Sequence, residues 1–87
     1  MKKDLELLPR LFAEMPAEER ESARLTFAIS DRIYDLMQER GLSKKQFADA
    51  LGRRPSEITK WLSGQHNFTI ATLAMLQTFF GKAIITV

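Results

Sequence analysis

The sequence predicts an all-α fold: a compact bundle of about five helices closed by a short C-terminal β-strand. Three observations carry this prediction. Four glycines, Gly41, Gly52, Gly64 and Gly81, each follow a segment with helical spacing, the position where a left-handed residue ends a helix. Apolar residues within those segments recur every three or four positions. Helix-capping residues stand where the segments begin. The chain has 87 residues, 45% of them apolar, which suits one domain and argues against wholesale disorder.

The first helix of the main pattern ends at Arg40. Leu25, Ile29, Ile33 and Leu36, with Met37 beside them, form one apolar stripe. Its start has two readings. Pro16 at the first helical position would put Glu18 and Glu19 in the favourable first turn, whereas Ser22 would cap a shorter helix. The second helix spans about 43–51. Ser43 caps it and Gln46 completes a capping box, with Phe47, Ala48 and Leu51 as its apolar face. The third spans about 55–63 and opens with Pro55. The fourth is capped by Thr69 and carries Ile70, Leu73, Leu76 and Phe80 on one face. The tail, residues 82–87, is rich in β-branched residues and reads as a strand. A lone strand leaves backbone groups unpaired. The simplest partner is the same strand of a second copy, making Ile84, Ile85 and Val87 candidate homodimer contacts.

Residues 1–20 form an N-terminal extension ahead of a 21–81 domain. Leu5, Leu8, Leu11 and Phe12 make the extension apolar, suited to binding a partner or enlarging the core. The start is broken by acids and a proline, and the longest apolar run, Leu73–Leu76, is four residues. Neither a signal peptide nor a membrane helix fits, and a cytoplasmic protein is expected. The absence of cysteine fits a reducing compartment. With a single histidine, it also excludes the usual zinc-finger ligand sets. No metal or other cofactor is expected. No nucleophile or carboxylate accompanies His66 in its segment, and no phosphate-cradling glycine loop is present, so no catalytic residues are assigned and an enzyme is not expected.

The net charge of +2 conceals an asymmetry. Residues 1–40 carry seven basic and nine acidic groups, and residues 41–87 carry six basic and two acidic. Lys44 and Lys45 occupy the first turn of the second helix, and Arg53 and Arg54 immediately precede the third. A helix N-terminus favours anions, so cations there suit a bound phosphate. On a helical wheel of the third helix, Ile58, Trp61 and Leu62 fall on one side, and Ser56, Thr59, Lys60 and Ser63 on the other. The polar side suits the major groove of double-stranded DNA. Lysine can donate to guanine O6 and N7, serine and threonine can bond base edges, and a threonine methyl can touch thymine.

The stretch from Gly41 to Gly64 resembles the lambda-repressor-like helix-turn-helix of the Cro/Xre family. Leu42, Ser43, Ala48, Leu51, Gly52, Ile58, Trp61 and Gly64 match its pattern, and Phe47 and Thr59 are mild replacements. The resemblance covers about residues 22–81. It implies that Ser56, Thr59 and Lys60 face bases. It also implies that Lys44, Arg54 and the Gln65-His66-Asn67 loop approach phosphates, with Lys45 and Arg53 as further candidates. Lys44 and Pro55 stand where relatives often have glutamines, and Leu62 stands for a common glutamate, so the target sequence is not legible. The N-terminal extension, the terminal strand and Gln65-His66-Asn67-Phe68-Thr69 are also similar to small HigA-type antitoxins. The expected function is a dimeric, sequence-specific repressor, either standing alone or paired with a toxin protein. The alternative is a module that neutralises a partner protein without important DNA binding.

Overall fold

The computed structural model describes residues 14–87; Leu5, Leu8, Leu11 and Phe12 lie outside that range. Helix α1 runs Ala17–Glu39, α2 Lys44–Leu51, α3 Pro55–Trp61 and α4 Ile70–Phe80. The described residues thus contain four helices rather than five.

Pro16 is the residue before α1, not its first. Its carbonyl accepts the N–H groups of Glu19 and Arg20 at 3.0 and 3.1 Å, and Glu18 and Glu19 sit at the positive end of the helix. Ser22 lies inside the helix, where its carbonyl accepts the Thr26 hydroxyl at 2.8 Å. One unbroken helix therefore passes through residues 20 and 21.

The capping box of α2 forms in full. Ser43 Oγ accepts the Gln46 N–H at 3.1 Å, and Gln46 Oε1 accepts the Ser43 N–H at 2.9 Å. Gly52 ends the helix at φ 67°, ψ 32°, with its N–H on Asp49 O and the Arg53 N–H on Ala48 O. This Schellman arrangement needs a left-handed residue, and glycine supplies one without a Cβ penalty. The chain thereby turns within three residues into α3, which packs on α2. Helix α3 ends at Trp61, two residues before the 63 expected. Ser63 leaves the helical path; its hydroxyl donates to Lys60 O at 2.7 Å, and Ser63 Oγ accepts the Gln65 N–H at 3.1 Å. Thr69 caps α4 by accepting the Thr72 N–H at 3.1 Å.

All four helices contribute to one core. Ile33, Leu36 and Met37 from α1 meet Phe47 and Ala48 from α2, Ile58 and Trp61 from α3, and Leu76 and Phe80 from α4. Phe47 is at its centre, with ring centroids 6.1 Å from Trp61, 5.7 Å from Phe79 and 5.3 Å from Phe80. Ile70, in the first turn of α4, remains 75% exposed and does not join the face that Leu73, Leu76 and Phe80 bury.

The C-terminal strand does not form; no strand is present among the described residues. The tail's backbone groups find side chains instead. Gln77 Oε1 accepts the N–H groups of both Ile84 and Ile85, at 2.8 and 3.0 Å. Arg32 Nε donates to Ala83 O at 3.0 Å, and Lys82 pairs with Glu39 at 3.0 Å. Ile84 packs on the core, Ile85 is half-buried and Val87 is exposed. The β-branched composition therefore reports apolar packing here, not a ladder, because one amide side chain satisfies donors that a ladder would otherwise hold.

Candidate nucleic-acid interface

The buried side of α3 is Ile58 and Trp61, and this orientation is what exposes the opposite side. Ser56, Thr59, Lys60 and Ser63 are all exposed, and Glu57 is half-buried at the flank. Thr59 Oγ1 donates to Pro55 O at 3.2 Å, which ties the hydroxyl proton to its own helix while the oxygen can still accept. Lys60 makes no ion pair or side-chain hydrogen bond among the described residues. It lines a cleft of about 390 Å³ with Arg53, Glu57, Trp61, His66 and Thr72.

The two helix N-termini flank this face. The first turn of α2 holds Lys44 and Lys45 and no acid. Lys44 Nζ lies 3.5 Å from Thr59 Oγ1, so the N-terminus of α2 and the outer face of α3 share one surface. Arg54 precedes Pro55 with an extended backbone and no side-chain cap. Arg53 behaves differently from the other three cations. Its guanidinium pairs with Glu57 at 3.2 Å and reaches Met75 Sδ at 3.6 Å, so part of its charge is countered within the chain.

The Gln65-His66-Asn67 loop divides between two surfaces. His66 sits edge-on to Phe68 at 4.7 Å and lines the α3–α4 cleft with Lys60. Gln65 is exposed, its N–H held by Ser63. Asn67 lines a different cleft, of about 460 Å³, running along α1 past Glu18, Glu21, Leu25 and Ile29. Sequence reasoning passed over two residues that position these elements. Gln77 holds the tail, and Ser30 holds the end of α3 by accepting the Gly64 N–H at 3.2 Å and donating to Trp61 O at 2.6 Å. The signal for Ser30 was present: a polar residue three and seven places before the core residues Ile33 and Met37. No group of three or more histidine, cysteine or acidic side chains is arranged to hold a metal among the described residues. No described helix is long and apolar enough to cross a membrane.

Two helices joined by a tight glycine turn, with a polar outer face on the second and cations at both N-termini, define the class of helix-turn-helix DNA-binding domains. The chain belongs to the Cro/Xre-type helix-turn-helix family, whose pattern it matches over residues 33–85, and it is in general terms a DNA-binding transcription regulator. Comparison with curated proteins and with solved structures gave no match.

Proposed function

We propose that this protein is a dimeric, cytoplasmic repressor that reads a specific double-stranded DNA sequence by laying α3 in the major groove. The observation that carries the reading is the shared surface of Lys44 and Thr59, 3.5 Å apart, which sets a phosphate-type cation beside a base-type side chain. Ser56, Thr59 and Lys60 read base edges. Lys44, Lys45 and Arg54 bind phosphates, with Arg53 joining them on release from Glu57, and Gln65, His66 and Asn67 extend the backbone contacts. Two copies would read half-sites about 34 Å apart. Ile85 and Val87, the more outward tail residues, are the contacts assigned to the second copy, with Ile84 behind them.

Anisotropy titration against selected and random duplexes tests this. Affinity should fall steeply with salt. Lys60→Ala should relax discrimination between sequences, and Lys44→Ala should weaken all sequences alike with a shallower salt slope. Binding that ignores salt, or equal loss of discrimination in both variants, would overturn the assignment. Ile85→Asp with Val87→Asp should shift sedimentation toward monomer while leaving the Gln77 and Arg32 contacts of the tail in place.

The cleft along α1 favours a second role, that of an antitoxin. It combines acidic rims, Glu18 and Glu21, with the apolar Leu25, Ile29 and Phe68. A basic toxin protein is the complementary partner, and Leu5, Leu8, Leu11 and Phe12 of the N-terminal extension would add apolar contacts. Without DNA affinity, this neutralising role would become the whole function.

A further inference from the structure

Helix α3 has only seven residues and closes with the Leu62 N–H on Ile58 O at 3.0 Å and the Ser63 N–H on Lys60 O at 3.2 Å, which leaves Trp61 O to find a partner outside the helix. The residue four places after Trp61 is Gln65, whose N–H goes to Ser63 Oγ rather than to Trp61 O. Ser30 supplies the missing partner from another helix. Its hydroxyl donates to Trp61 O at 2.6 Å and accepts the N–H of Gly64 at 3.2 Å. Ser30 is 5% exposed and is the one buried polar residue among those described. On the outer side, the ring of Phe27 covers Gly64 so closely that any Cβ at that position would overlap it. Gly64 has φ +79°, a left-handed conformation that its neighbours then hold in place. Ser30 and Phe27 are three residues apart on one helix and grip the same turn from two sides. Both precede residue 33, where the family match begins.

We propose that Ser30 is a positioning residue for sequence discrimination, with Phe27 as its accomplice: together they set how far the end of α3, and thus Lys60, projects toward the bases. This inference rests on the DNA-reading function above. The chain of contact is short. Lys60 is the residue before Trp61, and its own carbonyl accepts from Ser63, so the turn that Ser30 clamps is the turn that holds the Lys60 backbone. Lys44, Lys45 and Arg54 are carried by the N-terminal ends of α2 and α3, so their backbones do not depend on the clamped turn. Discrimination should therefore fall while phosphate binding survives.

The test compares the full-length wild type with S30A, S30T and F27A, binding a selected duplex and random duplexes at several salt concentrations. Measurements are made well below each variant's Tm, with far-UV circular dichroism confirming the helices. S30A should lose about tenfold in affinity for the selected duplex, the scale of one lost base contact, with the random-duplex affinity and the salt slope unchanged. S30T keeps the hydroxyl and should restore most of the discrimination. F27A alters a half-exposed side chain that folding tolerates, and should lose discrimination in the same direction. The Gly64 amide should exchange faster with solvent in S30A than in wild type. Wild-type discrimination in both S30A and F27A would overturn the inference, as would a parallel loss on all duplexes. Failure of the wild type itself to bind DNA in a salt-dependent way would overturn the DNA-reading function and this inference with it, whereas wild-type binding with unaltered variants would overturn this inference alone.

Discussion

The two halves of α1 share one sequence pattern and have opposite fates. Leu25, Ile29, Ile33 and Leu36 form a single stripe, yet Leu25 is 45% exposed while Ile33 and Leu36 are 0% and 1% exposed. Every buried residue of the helix lies at Ser30 or beyond: Ser30, Ile33, Leu36 and Met37. The family match starts at Ile33, within the buried half. Periodicity states which face of a helix is apolar, but not how far along its length a neighbour exists to cover that face. Helices α2, α3 and α4 end beside the second half. The first half touches them at Gly64, through Phe27, packs Ile29 against the core at its far end, and borders the cleft that Asn67 and Phe68 close. Its remaining support is local: two acids in the first turn and the Glu21–Arg24 pair.

This contrast can be broken most directly by shortening one apolar side chain in each half. Ile33→Ala removes a fully buried side chain and should cost about 2–5 kcal/mol, a fall in Tm of more than about 10 °C. Leu25→Ala should cost less than about 1 kcal/mol, since nearly half of its surface already meets water. Thermal denaturation of the pair measures the difference, and equal losses would show that the first half is covered as tightly as the second.

The contact between Phe27 in the front half of α1 and Gly64 in the turn after α3 can be tested next. Gly64→Ala combines a left-handed backbone with overlap onto the Phe27 ring and should cost about 2 kcal/mol. Gly52→Ala carries the same kind of backbone strain in open space and should cost about 1 kcal/mol. Adding Phe27→Ala to Gly64→Ala should recover the excess, so chemical denaturation of the three variants separates strain from overlap.

Smaller in energy, but sharper in resolution, is hydrogen exchange. Amides of residues 33–37 should exchange only on global unfolding, while those of residues 21–26 should open locally and exchange faster. The smallest effect concerns Glu21. The hydrogen bond from Arg24 holds its carboxyl below the usual glutamate range, an influence that slight burial opposes and the Arg24 charge assists. Because the folded value is the depressed one, any stabilisation is present above the unfolded pKa and fades as pH falls through the folded pKa. Both side chains are exposed, so the Tm of Glu21→Gln should match that of the wild type. An NMR pH titration should show Glu21 titrating below the ordinary glutamate value, and Arg24→Ala should remove that shift.

Much of the site was legible because its signals are local. The Ser43–Gln46 box, Pro55 at the start of α3 and the left-handed Gly52 each depend on residues within four or five positions. The outward set Ser56, Thr59 and Lys60 followed from the burial of Ile58 and Trp61, which helical spacing alone predicts. What was not legible depends on contacts across the chain. The tail composition suggested a strand, but a glutamine seven residues before Ile84 receives its backbone N–H groups. Arg53 reads with Lys44, Lys45 and Arg54 as a phosphate-binding candidate, but its guanidinium pairs with Glu57. The 65–67 loop read as one unit, yet His66 and Asn67 line different clefts.

By itself, then, the sequence determined where the four described helices end to within a few residues, most of the apolar side of each, and that the second and third form a helix-turn-helix with a polar outer face; the start of α1 stays open between Pro16 and Ser22, and helical spacing puts Ile70 on a face it does not join. Those properties follow from caps, turns and periodicity, which act over one or two helical turns. The tertiary structure alone decided that α1 is buried along half its length, that the tail folds back onto Gln77, and that a hydroxyl on α1 clamps the end of α3. Those outcomes depend on which polar groups meet once the core has closed, and a hydrogen bond between Ser30 and Trp61, thirty-one residues apart, has no local signature.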